Sequence, residues 1–199
     1  MEQAQTWQDV DLLRQSIASL PEPVGRPFLI LVSGLPGTGK SYVSGRLVER
    51  LSLAVLETDT LRKTLFPTPI YTATESARLF QACHLLIEEL LRRGVPVLLD
   101  ATNLLERHRE HLYSIAERLE AKLLIVRVEA PPEEVMERLQ RRTQNSQGDG
   151  YSDADWQVYQ RMVSSVEAIK RNHFVADTSR DVTPVIDKIV REVNKWIKI

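Results

Sequence analysis

The eight-residue string GLPGTGKS at 34–41 constrains this chain more than any other feature. It fits G-x-x-x-x-G-K-[ST], directly follows the apolar run FLILVS (28–33) and opens a helical stretch. Strand, glycine-rich loop and helix in that order form the context in which such a string cradles phosphate. Gly34, Gly37 and Gly39 let the backbone turn tightly and aim amide N–H groups inward with no side chains in the way. The helix N-terminus adds partial positive charge. Lys40 would reach β- and γ-phosphates, and Ser41 would ligate Mg²⁺. Thr38 and Tyr42 complete the candidate nucleotide-binding set.

The rest of the chain repeats the same alternation. Short apolar runs recur as LAVLET (53–58), VPVLLD (95–100), LLIVRVEA (123–130) and HFVADT (173–178). Their length and β-branched content suit buried parallel strands. Helical patterns lie near 39–51, 74–93, 104–120, 132–142, 154–171 and 183–198. Strands alternating with helices predict right-handed crossovers and a parallel sheet covered on both faces, an α/β fold. With 199 residues, 43% of them apolar, the chain has room for one domain at 28–199 behind an N-terminal helix and proline-rich linker at 1–27.

Ligands in such sheets sit beyond the carboxyl ends of the strands, so the residues that follow each strand matter most. VPVLLD ends in Asp100, an acid placed to orient Mg²⁺ directly or through water. Pro96 is tolerable only near a strand start, so regular pairing should begin at Val97. Thr102 and Asn103 come next and could bond a phosphate or a substrate hydroxyl. Beyond LAVLET lie Asp59 and Arg62, which share one face if a helix starts there. Phosphoryl transfer to an alcohol needs a base for the hydroxyl proton and a cation to hold the acceptor. Asp59 is equally readable as a helix N-cap, and both readings stay open at this point.

PPEEVMERLQRRTQ at 131–144 brings Arg138, Arg141 and Arg142 up to the polar stretch 143–155, which holds Gly148 and Gly150. Arginines beside such a stretch resemble a lid, about 138–155, closing on a transferring phosphoryl. Ser152 and Asp155, ahead of Trp156 and Val158, read as the restart of a helix. Trp7, Val10, Leu13, Ile17 and Leu20 form one stripe of an N-terminal amphipathic helix, for packing on its own domain or for a dimer contact. PEPVGRP at 21–27 stops it.

Other features read as structural. His108 and His111 lack a third ligand for zinc. Cys83 sits in an apolar helical pattern, and Ile186, Ile189, Val193 and Trp196 form a packing stripe. Arg92 and Arg93 precede Gly94 at a helix C-terminus, where cations oppose the dipole.

Composition excludes several classes. Lysine plus arginine total 26 against 27 aspartate plus glutamate, a net charge of −1. Bulk attachment to nucleic acid or anionic lipid is therefore disfavoured, although a local basic pocket remains compatible. One cysteine allows no intrachain disulfide, which suits a reducing cytoplasm. No apolar run approaches the roughly 18 residues of a membrane span, and the N-terminus does not read as a secretory signal.

Taken in order, GLPGTGKS, Asp59-Thr60-Leu61-Arg62, LLDATN and a basic segment with Arg138 and Arg142 resemble the P-loop kinases related to polynucleotide 5′-hydroxyl kinases, zeta toxins and the "predicted kinase" group. The SDAD at 152–155 is similar to the last of these, and the resemblance covers roughly 28–178. It implies a P-loop NTPase three-layer sandwich with a five-stranded parallel sheet and a lid. It implies ATP- and Mg²⁺-dependent phosphorylation of a hydroxyl on a small metabolite, a sugar, a nucleotide-sugar or a 5′-OH nucleic-acid end. Asp59 would be the general base and Arg62 the acceptor-side cation, with Arg138 and Arg142 on the ATP phosphates. Arg107 matches a family arginine more loosely. Tyr42 departs from the pattern, since such loops carry a threonine there, and FPTPIY (66–71) has no counterpart in it. Two further readings compete: an ATP-binding regulator or switch that transfers nothing, and a toxin-like kinase with the same mechanism. The chain has no N-K-x-D guanine-reading motif.

Overall fold

A computed structural model describes residues 2–17, 19–145 and 156–198. Its elements run α1 (Glu2–Ser16), β1 (Phe28–Ser33), α2 (Lys40–Val48), β2 (Ala54–Glu57), α3 (Thr58–Leu65), α4 (Ala73–Arg92), β3 (Val97–Ala101), α5 (Glu106–Arg118), β4 (Lys122–Glu129), α6 (Pro132–Asn145), α7 (Trp156–Val163), β5 (Phe174–Asp177) and α8 (Thr183–Ile197). The five strands form one all-parallel sheet in the order β2-β3-β1-β4-β5. β3 begins at Val97, because Pro96 cannot donate to the ladder.

Alternate strand residues divide between two cores, as the two-residue pleat requires. Leu29, Leu31, Leu56, Leu99 and Ile125 face α1, α3, α4 and α5. Phe28, Ile30, Val32, Leu98 and Val126 face α2 and α8, where Ile186, Ile189 and Val193 are fully buried. Each fully buried aliphatic side chain contributes roughly 1.5–3 kcal/mol, so this double-sided burial dominates the stability of the fold. Cys83 lies in the first core, and burial pushes its thiol up to about 12.

Two helices differ from expectation. α1 covers Glu2–Ser16 rather than 7–20; Ser16 Oγ donates back to the Leu13 carbonyl at 2.7 Å as the helix ends. Val10 and Leu13 are spent in the chain's own core, while Trp7 and Leu20 are exposed. The stripe thus serves intramolecular packing, and only its ends remain for a dimer contact. α7 stops at Val163 instead of continuing to 171. The carbonyls of Glu167 and Ala168 bond the Arg109 guanidinium at 3.0 Å each, which gives that backbone partners outside a helix.

The register aligns the functional ends of the strands. Val32 pairs with Asp100, and Glu57 pairs with the same Asp100 from the other side. The carboxyl ends of β1, β2 and β3 therefore meet at one level, and the loop after β1 lies against them.

Candidate active site

The loop 34–41 takes its shape from contacts that exclude side chains. Gly34 N–H donates to the Thr102 carbonyl at 3.2 Å, and a Cβ there would lie 2.4 Å from the Val128 carbonyl oxygen. Gly37 and Gly39 adopt φ of 77° and 93°, conformations costly for any residue with a Cβ. Thr38 is buried and its hydroxyl bonds the Leu35 carbonyl at 2.8 Å, so its side chain braces the loop from within. Lys40 Nζ donates to the same carbonyl at 3.3 Å.

Asp100 is buried and accepts from Ser44 Oγ at 3.0 Å. Burial raises its pKa, opposed by Lys40 and by hydrogen bonds from Ser44 and Ser41. Burial lowers the pKa of Lys40, opposed by the charges of Asp100 and Asp59 and reinforced by Arg142. Lys40, Ser41, Asp59, Asp100 and Arg142 thus form one electrostatic neighbourhood. Glu57 joins it: burial, then Asp100, raises its pKa, and Thr60 Oγ1 bonds it at 3.2 Å. The Ser41 hydroxyl beside the Asp100 carboxylate is an oxygen pair suited to a hard cation such as Mg²⁺.

Asp59 is not the N-cap that the sequence left open. Glu57 occupies that position, and Asp59 lies in the first turn of α3, part-buried. A carboxylate there benefits from the helix dipole without closing the helix end. Arg62 is nine-tenths buried on the same helix. It donates to Ser76 Oγ at 3.1 Å, pairs with Glu75 at 3.6 Å and lies 5.0 Å from the Tyr71 ring centre. Its Nη1 has no hydrogen-bond partner. Glu75 also accepts the backbone N–H groups of Ile70 and Tyr71, closing the FPTPIY segment onto the start of α4.

The remaining candidates are spread more widely. Arg138 is bound to Glu134 at 2.7 Å and to Thr178, through Oγ1 at 2.7 Å and the carbonyl at 3.0 Å. Thr178 Oγ1 in turn donates to the Thr38 carbonyl at 2.7 Å, so Arg138 reaches the loop through Thr178. Arg141 pairs with Glu137 on the surface. Tyr42 is exposed and its hydroxyl accepts from Arg46 at 3.1 Å. Of the expected lid, Gly148, Gly150, Ser152 and Asp155 lie outside the described residues.

Sequence reasoning missed several participants. Thr178 closes the run HFVADT, so the rule about strand ends points to it. Arg109, 1% exposed, bonds Glu106, the Asn103 carbonyl and the carbonyls of Glu167 and Ala168. Nothing in ERHREHL separates it from the exposed Arg107. It supports Asn103, which has φ of 44° and a buried Nδ2 without a partner. His108 and His111 join His84 and Phe80 in a ring cluster. Among the described residues no group of three or more potential ligands is arranged for a metal ion.

No curated protein matches the chain significantly. Solved structures match its fold. Kti12 from Chaetomium thermophilum, in complex with ADP-AlF3, superposes with a TM-score of 0.63 at 20% identity, covering 85% of this chain and 98% of that one. APS kinase from Mycobacterium tuberculosis, in complex with AMPPNP and APS, gives 0.60 at 19% identity, covering 89% and 100%. A gluconokinase from Sinorhizobium meliloti gives 0.60 at 19% identity, covering 86% and 94%. What the chain shares with these structures is its fold, a five-stranded parallel sheet between two layers of helices. Residues 29–169 match the profile of a family described as an AAA domain, and the chain belongs to that family.

Proposed function

We propose that the protein is an ATP- and Mg²⁺-dependent kinase that transfers the γ-phosphoryl group to a hydroxyl acceptor. The observation that carries this reading is the glycine-shaped loop that sets Lys40 and Ser41 at the carboxyl ends of three adjacent strands, with Asp100 buried on one of them and Asp59 just beyond another. Gly34, Gly37, Thr38, Gly39 and Tyr42 would frame the nucleotide, with backbone N–H groups facing phosphate. Lys40 would neutralise developing charge on the β- and γ-oxygens, and its depressed pKa would recover beside a polyphosphate. Ser41 and Asp100 would hold Mg²⁺, which when bound supplies charge neutralisation between β- and γ-oxygens. Asp59 would accept the acceptor's proton and Arg62 would orient the acceptor. Arg142 would act on the phosphates directly, whereas Arg138 would brace the loop through Thr178.

The acceptor belongs to the class of small metabolites, sugars, nucleotide-sugars or 5′-OH nucleic-acid ends. Net charge of −1 favours the small molecules over long nucleic acid. The described residues contain no helix long and apolar enough to cross a membrane; a cytoplasmic site of action is part of this proposal. Calorimetry with AMPPNP and Mg²⁺, followed by ADP release across a library of hydroxyl metabolites, tests it. Absence of binding at millimolar nucleotide defeats the reading.

One observation favours a second reading, a nucleotide-dependent regulator without a transfer step. Arg62 is engaged by the chain's own Glu75, Ser76 and Tyr71. That reading predicts nucleotide binding with slow hydrolysis and no stimulation by any acceptor. A toxin-like kinase would share the first mechanism and differ only in target.

A further inference from the structure

The N-terminal helix contributes no residue to the candidate site, yet it is built against the helix that carries the acceptor side of it. Val10 and Leu13 of α1 are fully buried in the cluster that holds Leu61 and Leu65 of α3 and Leu79 and Cys83 of α4. Asp9 is 1% exposed and accepts two hydrogen bonds of 2.6 Å from Arg78 of α4. That bidentate partner holds the Asp9 carboxyl below the usual carboxylate range. The Arg78 guanidinium lies 5.2 Å from the centre of the Phe66 ring, at the residue where α3 ends. Further along, Arg14 donates to Glu89 of α4 at 2.6 Å.

α1 is therefore fastened to α4 at two points, and α3 rests on the surface the two helices share. On another side α3 borders a partly open pocket. A cavity of about 180 Å³ lies between the end of α1, the sheet edge and α3, lined by Ser16, Ile17, Val55, Glu57, Thr60 and Leu61. On the side that borders this partly open pocket, α3 has fewer packed side chains against it than on the side of α1 and α4. Its position depends on the contacts it does make, and α1 supplies a large part of them.

We propose that α1 is the positioning element of the acceptor side: it sets α3, and with it Asp59 and Arg62, for transfer without contributing to nucleotide affinity. The catalytic meaning of this inference rests on the kinase reading above; the coupling of α1 to α3 rests on geometry alone. Asp9, Arg78 and the residues around the cavity are positioning residues, since none is assigned a contact with a substrate.

Hydrogen exchange on the full chain tests the coupling, with AMPPNP calorimetry and ATP hydrolysis, water being the acceptor, alongside it. In Asp9→Ala, amide exchange over 58–65 should speed up about tenfold while α2 and β1 keep their wild-type rates. AMPPNP affinity and the KM for ATP should stay within about twofold, while kcat for hydrolysis falls about tenfold or more, because a small misplacement of a base is costly. Arg78→Lys keeps a cation on Asp9 but gives up the paired hydrogen bonds, so exchange over 58–65 and kcat should lie between those of wild type and Asp9→Ala. Should Asp9→Ala not fold, Ile17→Phe addresses the same seam by filling the cavity, and it should slow exchange over 58–65. Unchanged exchange over 58–65 in a folded variant, or an equal rise across α2 and β1, overturns the proposal. If AMPPNP with Mg²⁺ fails to bind the wild type, the kinase reading falls instead, and the exchange measurement still decides the coupling.

Discussion

On the nucleotide side of the cleft, the groups that would meet phosphate, Arg142 apart, belong to eight consecutive residues, and the shape of that loop is set by backbone. Gly34 is fixed by the Thr102 and Val128 carbonyls, and Gly37 and Gly39 by their positive φ. On the acceptor side, Asp59 and Arg62 are side chains on a two-turn helix. Their surroundings come from residues far apart: Val10 and Leu13 of α1, Tyr71 of the FPTPIY segment, and Glu75 and Ser76 of α4. The contrast teaches where each half is vulnerable. The nucleotide side fails when a local rule is broken. The acceptor side fails when distant packing shifts.

The largest expected effect is on the nucleotide side. Lys40→Ala should reduce phosphoryl transfer about a thousandfold, as loss of a preorganised charge aimed at the reacting group does. Steady-state ADP release with a verified acceptor reads it, and a variant within tenfold of wild type would remove Lys40 from the mechanism.

Asp59→Asn comes next and sharpens the comparison directly. As the base, Asp59 should be worth about a hundredfold or more in turnover. As a carboxylate in the first turn of α3, its neutralisation should cost only about 0.3–1 kcal/mol in stability. The variant should melt near wild type, bind AMPPNP normally and lose transfer. Retained turnover would reduce Asp59 to a helix-dipole residue and break the division of labour between the two sides.

Arg62→Ala should act more mildly, raising the KM for the acceptor about tenfold, in line with loss of one charged hydrogen bond. ATP affinity should not move. Should ATP affinity fall with it, Arg62 belongs to the nucleotide side and the comparison must be redrawn.

The smallest effect concerns pH. His84 is held at a pKa of about 4, first by burial and then by the charges of His111 and His108. The unfolded chain binds that proton near pH 6.5, so the folded state binds fewer protons between those values. Stability should be flat above about pH 6.5, decline towards pH 4 and level off below it, by on the order of 1 kcal/mol after partial exposure is allowed for. Thermal melts of wild type and His84→Phe check this, since the variant should lose that part of the slope. An identical slope in both would show that other groups carry it.

The same contrast explains what the sequence made legible. The loop, its strand and the strand that carries Asp100 are contiguous patterns, and the structure has the strands and the helix after the loop where the spacing predicts them. The five apolar runs became five strands; β1 and β3 are buried at every residue, while the edge strands β2 and β5 are buried only in part. The fate of α1's stripe was open in the sequence, because an amphipathic face fits its own core or a partner equally well; the ion pair between Asp9 and Arg78 spans 69 residues and leaves no local trace. Arg109 and Arg107 look alike in sequence, and only tertiary contacts make one the buried support of the Asn103 turn. Past the end of α7 at Val163, the carbonyls of Glu167 and Ala168 are bound by that same Arg109, a long-range contact with no local trace in sequence.

Gly37 has a consequence beyond phosphate. A Cβ at this position would lie 2.9 Å from both Leu139 Cγ and Val135 Cγ1, because α6 lies directly on the loop. The glycine is thus required by the neighbouring helix as well as by any nucleotide. Across related chains, glycine should persist at 37 even where 135 and 139 become smaller, because that would relieve the contact but not the φ of 77°. A relative that had lost catalysis altogether would still be held to glycine here. Glycine at 37 therefore reports on fold, and the presence of Lys40 and Ser41 is the better census of which relatives still handle nucleotide.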